Sequence, residues 1–150
     1  MKKIVYIDMD GVLADFSKGI GRPGYEYNPP EMLRPGFFRE LEVMPGAKDA
    51  IAELLTIEGI DVFIATKPTT ANLNCATEKF EWIKANFPEL LRKIFITCDK
   101  GHLNGDYLID DNANQWQAKF KGTFLHFQEF EPEDSWMSIV NYMKQYKINF

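Results

Sequence analysis

The chain has 150 residues, 45% of them apolar, which suits one domain with its own core, and no apolar run is long enough to span a bilayer. A formal net charge of -5 excludes the broadly basic face of a general nucleic-acid binder. Met1-Lys2-Lys3 lead into only a short apolar run and then into acids, which predicts no secretory signal. Cys75 and Cys98 stand far apart without ligand-like spacing and read as reduced thiols of a cytoplasmic protein.

Lys3 to Ile7 is continuously apolar, as expected of a central parallel strand covered on both faces. It stops at Asp8-Met9-Asp10, with a turn signal at Gly11. Residues from about 17 to 44 are broken by Gly21, Pro23, Gly24, Pro29, Pro30, Pro35 and Gly36 and form a short insertion carrying Tyr25, Tyr27, Phe37 and Phe38. Pro45-Gly46 opens a helix with Ala47, Ala50, Ile51, Leu54 and Leu55 at helical spacing, and Gly59 ends it. Asp61 to Ala65 is a buried strand closing at Thr66-Lys67-Pro68. Ala76 to Asn86 reads as a helix with Phe80, Ile83 and Phe87 on one face, capped by Asn72 or Asn74. Strands follow at Lys93 to Thr97, Tyr107 to Ile109 and Thr123 to Phe127. A helix is predicted over Asn114 to Phe120, and an amphipathic one over Glu133 to Tyr146.

Strands alternating with helices predict a single α/β domain, a mostly parallel sheet flanked by helices, with a core of residues 1–16 and 45–150 and a short cap-like insertion over about 17–44. Ligands of such sheets gather at the carboxyl ends of the strands. Four strand ends carry reactive groups: Asp8 and Asp10, Thr66 and Lys67, Asp99 and Lys100, and Asp110 and Asp111. Parallel strands would bring all four sets to one rim. Ionised carboxylates beside an apolar interior need a positive partner, and a hard cation such as Mg²⁺ supplies one while favouring phosphate-bearing substrates. A calcium loop would need Gly at its sixth position and Glu at its twelfth; counted from Asp8 these are Leu13 and Gly19, so that reading fails.

The order of these motifs resembles the haloacid dehalogenase-like phosphohydrolase superfamily, which has a Rossmann-like core. Its Asp-x-Asp-Gly-[Val/Thr] motif matches Asp8 to Val12. Its Thr or Ser after an apolar strand matches Thr66, its lysine Lys100, and its late acidic pair Asp110-Asp111. Asp8 to Phe16, Pro45-Gly46-Ala47, and Asp99-Lys100 ahead of Leu108 to Asp111 look like the cytosolic and mitochondrial 5'(3')-deoxyribonucleotidase family. That family carries a longer helical cap after the first motif than the insertion here.

The chemistry of these residue types, with which the resemblance agrees, makes Asp8 the nucleophile of an aspartyl-phosphate pathway and Asp10 its general acid and base. Thr66 would donate to a phosphate oxygen and Lys100 would offset charge. Mg²⁺ would lie between Asp8, the backbone carbonyl of Asp10 and one of Asp110 and Asp111, with Asp111 favoured as the direct ligand. Lys67 could add a backbone N–H to a phosphate nest, and Phe16 is either a stacking surface for a base or packing for the insertion. The expected partner is a small phosphomonoester such as a nucleoside monophosphate, with neither a membrane nor a nucleic-acid polymer involved and an oligomer compatible with the sequence. Two alternatives stay open: a phosphatase for another phosphorylated small molecule or for a nucleic-acid or protein phosphate, and a phosphate- and metal-binding module without turnover.

Overall fold

The computed structural model describes residues 1–23, 29–113 and 117–145. Strands β1 (Lys3–Ile7), β2 (Ile60–Thr66), β3 (Ile94–Ile96), β4 (Tyr107–Asp110) and β5 (Thr123–His126) form one sheet of order β3-β2-β1-β4-β5. Every pairing is parallel, with Ile7 level with Ile64 on one side and Ile109 on the other. The chain builds one half of the sheet outward from β1, then returns to build the other. The order therefore reverses between β1 and β4, and a crevice opens beyond their carboxyl ends.

Alternate residues of the strands feed two cores. Val5, Ile7, Val62, Ile64, Tyr107 and Ile109 join the larger one with residues of helices α2 (Ala47–Thr56), α3 (Cys75–Asn86) and α4 (Pro132–Lys144). Tyr6, Ala65 and Leu108 point to the other face, where Phe120, Leu103, Phe63 and Phe124 complete a smaller cluster. Among the described residues no helix is long and apolar enough to cross a membrane.

The insertion contains a short helix α1 (Phe16–Ile20) and a 3-10 turn at Pro30–Leu33, and it buries Met32, Phe37, Phe38 and Leu41. Helix α3 holds it down. The Glu78 carboxylate accepts from the Gly36 and Phe38 amides, Trp82 Nε1 donates to the Leu41 carbonyl at 2.7 Å, and Asn72 just ahead of the helix donates to the Met32 carbonyl at 2.8 Å.

This corrects the face expected for α3. Its buried side is Cys75, Glu78, Lys79, Trp82 and Ile83, whereas Phe80 is exposed. The two charged residues are drawn inward because the insertion and the strand ends offer them partners. Asn74 occupies the N-cap position but makes no side-chain cap bond; Asn72 Oδ1 instead accepts from the Asn74 amide. In the stretch read as a helix over 114–120, the described part is a 3-10 turn at Gln117–Lys119. Tyr25, Tyr27, Trp116 and Tyr146 lie outside the described residues.

Candidate active site

Asp8 and Asp10 leave the end of β1 in a tight loop. The Met9 carbonyl accepts from the amides of Val12, Leu13 and Ala14, and the Gly11 amide donates to Ala14. Gly11 has φ +81°, a conformation L side chains rarely adopt, and a Cβ there would collide with the Asp111 carboxylate. The loop needs a glycine both for its turn and for the close approach of β4's acidic end.

Lys100, in the 3-10 turn Lys100–His102 after β3, is buried. Its Nζ donates to Asp8 Oδ1 and to Asp110 Oδ2, both at 2.7 Å. Asp8, Asp110 and Asp111 each present an oxygen, and these lie within 4.8 Å of one another. Asp110 is fully buried with both oxygens engaged, since Oδ1 accepts from the Asn112 amide at 2.9 Å. The Asp111 carbonyl is met by His126 Nε2 at 2.9 Å.

Burial, then the charge of Asp110, pushes Asp8 up to about 7 against the pull of Lys100. Burial and the charges of Asp8 and Asp110 hold Asp111 well above the usual carboxylate range. Burial works to lower Lys100, but Asp8 and Asp110 outweigh it and raise its pKa. One ammonium does not balance three crowded carboxylates. The cluster is short of positive charge and offers only hard oxygen donors, which is the donor set a divalent cation such as Mg²⁺ takes.

The side chain of Asp10 is turned away from this cluster. Its Oδ2 accepts from Lys79 Nζ at 2.9 Å, and its Oδ1 is buried with no hydrogen-bond partner among the described residues. Lys79, on α3 and 1% exposed, also donates to Thr66 Oγ1 and to the Lys67 carbonyl, each at 2.7 Å. The Phe38 ring lies 5.2 Å from the same ammonium. Sequence reasoning missed Lys79. A lysine in mid-helix next to a glutamate reads as a solvated face, and its only signal was the excess of acids over cations at the strand ends.

The structure therefore brings Asp8, Asp10, Thr66, Lys100, Asp110 and Asp111 to one rim, as their strand positions predict. Lys67 is exposed and contributes its carbonyl to Lys79. Phe16 is half-buried, packs on the larger core and meets Phe37 edge-on at 5.6 Å. His102 is exposed and pairs with Asp99 at 2.8 Å.

Residues 25–146 match the family model of "5' nucleotidase, deoxy (Pyrimidine), cytosolic type C protein". The chain is similar to the human mitochondrial 5'(3')-deoxyribonucleotidase, at 35% identity over 168 positions covering 91% of this chain and 68% of the relative. It is also similar to the human cytosolic-type 5'(3')-deoxyribonucleotidase (34% identity; 71% and 69% covered) and to a putative 5'(3')-deoxyribonucleotidase of Staphylococcus aureus (33% identity over 175 positions; 94% and 95% covered). Among solved structures, a haloacid dehalogenase-like family hydrolase from Xanthomonas campestris superposes with a TM-score of 0.62 over 99% of each chain at 12% identity, a likeness of fold.

Proposed function

Because the chain belongs to the deoxy 5'-nucleotidase family of cytosolic type C, a family of phosphatase enzymes, we propose that it hydrolyses nucleoside monophosphates, with deoxyribonucleotides as the leading class, through an aspartyl-phosphate on Asp8. The observation that carries the reading is the pair of hydrogen bonds that Lys100 donates to Asp8 and Asp110 inside a cluster of three carboxylates, at the crevice where the sheet order reverses.

In the first step an Asp8 oxygen bonds to phosphorus, the ester P–O bond breaks, and the leaving oxygen takes a proton from Asp10. In the second, Asp10 takes a proton from a water that attacks the same phosphorus, returning Asp8 and inorganic phosphate. Thr66 holds a phosphate oxygen through its hydroxyl, and Lys100 keeps the nucleophile in place while offsetting charge. Lys67 and Phe16 complete the substrate side, Lys67 beside the phosphate and Phe16 as an apolar wall. Mg²⁺ would be held by Asp8, Asp111 and the backbone carbonyl of Asp10, with Asp110 supporting through Lys100, and would supply charge neutralisation at the transferring phosphoryl group.

The test is phosphate release from a panel of ribo- and deoxyribonucleoside monophosphates, with and without Mg²⁺, for the wild type and Asp8→Asn. Release that needs Mg²⁺ and disappears in the variant is expected. Full activity of Asp8→Asn would remove the nucleophile assignment.

One observation favours a second substrate class. Alignments with the relatives run over 168 and 175 positions against 150 residues here, so those proteins carry segments this chain lacks. A short insertion after the first motif suits a phosphate on a larger molecule. Comparing nucleotides with end-phosphorylated oligonucleotides separates the two.

A further inference from the structure

Lys79 touches three groups at once, and the chemistry of an ammonium restricts what each can do. It has three N–H donors and no acceptor. All three are engaged, on Asp10 Oδ2 at 2.9 Å, Thr66 Oγ1 at 2.7 Å and the Lys67 carbonyl at 2.7 Å. The side chain is buried beneath Phe38, whose ring lies 5.2 Å from Nζ. The neighbouring Glu78 fixes that ring's backbone by accepting from the Phe38 amide at 3.3 Å.

Three consequences follow. With every donor engaged and the side chain buried, Lys79 has none left for a substrate oxygen. At its contact with Thr66 the hydroxyl must be the acceptor, so the hydroxyl's own proton is directed away from Lys79 and left for another oxygen. At its contact with Asp10 the ammonium holds Oδ2 at 2.9 Å, which fixes the orientation of a carboxyl group that is one quarter exposed at the rim.

We infer that Lys79 is a positioning residue for phosphoester hydrolysis: it fixes the carboxyl of Asp10 and the hydroxyl of Thr66 in one orientation, without touching the substrate. This rests on the phosphohydrolase reading above. Lys100 serves Asp8 and Lys79 serves Asp10, so each acid of the first motif has its own buried cation.

The readout is leaving-group dependence. Expulsion of an alkoxide, as from a nucleoside 5'-monophosphate, needs the proton from Asp10, whereas expulsion of p-nitrophenolate hardly does. General acid catalysis is worth about 10²- to 10⁴-fold. Lys79→Met should therefore lower kcat on the nucleotide by about tenfold or more beyond its effect on p-nitrophenyl phosphate. Lys79→Arg, which keeps charge and donors, should recover part of the difference; it is also read alone against the wild type by the same ratio if the Met variant does not fold. Equal losses on both substrates, as a merely structural lysine would give, or no loss on either, overturn the inference. Absence of Mg²⁺-dependent release by the wild type, or full activity of Asp8→Asn, would instead fail the phosphohydrolase reading itself, and the role of Lys79 with it.

Discussion

Lys100 and Asp8 stand 92 positions apart in the chain and 2.7 Å apart in the fold. The contact exists because parallel strands deliver every carboxyl end to the same rim, and because a buried carboxylate and a buried ammonium are each costly alone. The same ammonium reaches Asp110 at 2.7 Å, so the ends of β1 and β4 are joined by one side chain across the crevice.

The two late acids are adjacent but differently employed, and their variants should differ. Asp110 has both oxygens occupied by Lys100 and the Asn112 amide. Asp110→Asn should destabilise the protein by about 1–3 kcal/mol, read by urea unfolding in the presence of chelator. Asp111→Asn should not destabilise the protein in chelator, because it removes a carboxylate crowded by Asp8 and Asp110, and should raise the Mg²⁺ concentration for half-maximal activity by about tenfold or more. The reverse pattern would exchange the two roles.

Gly11→Ala should act on the metal requirement from outside the carboxylate set. Its φ of +81° costs an L residue about 1–2 kcal/mol, and its new Cβ would push into the Asp111 carboxylate. Both a lower Tm and a higher Mg²⁺ requirement are expected. A lower Tm with an unchanged requirement would show that the Asp111 carboxylate can shift without consequence.

Protons and Mg²⁺ should compete for the cluster. Asp8 at about 7 and the raised Asp111 both lie above the ordinary unfolded value of about 3.9. The folded protein therefore binds more protons than the unfolded chain between these limits. That contribution is complete below the unfolded value and is lost as pH rises through the folded one. In chelator, Asp8→Asn should flatten the fall in stability from pH 5 to pH 8. Because cation binding displaces those protons, saturating Mg²⁺ should raise the wild-type Tm more at pH 8 than at pH 5. An equal rise at both values would contradict the assignment.

The insertion should loosen when its anchor on α3 is removed. Glu78 accepts two backbone amides, at Gly36 and Phe38, and bonds to a charged group are worth about 1.5–3 kcal/mol each. Glu78→Ala should accelerate tryptic cleavage after Arg39, an exposed residue, well below the temperature at which the sheet melts. Cleavage at the wild-type rate would mean that Trp82 and Asn72 hold the segment unaided.

Much of the fold was legible because burial leaves a periodic trace. The continuous apolar run of β1, the spacing of Ala47, Ala50, Ile51 and Leu54 and the stop signal at Pro88 each respond to local rules, and those elements form where the rules place them, while α2 stops at Thr56, ahead of Gly59, and exposes Leu55. The trace misled at α3: it put Phe80, which is exposed, on the inner face and gave no sign that Glu78 and Lys79 are buried. Partners on other segments reversed that order, and no local pattern encodes a partner forty positions or more away.

By itself the sequence determined which groups would meet: acids, a threonine and a lysine at the ends of parallel strands must share a rim, since the direction of a strand decides where its end lies. Only the tertiary structure decided how they divide the work. It set Asp110 and Asp8 on Lys100, gave Asp10 and Thr66 to Lys79, and left Asp111 against Gly11. Hydrogen bonds and charge pairs depend on distances of a few ångströms, and those are fixed by packing between segments remote in the chain.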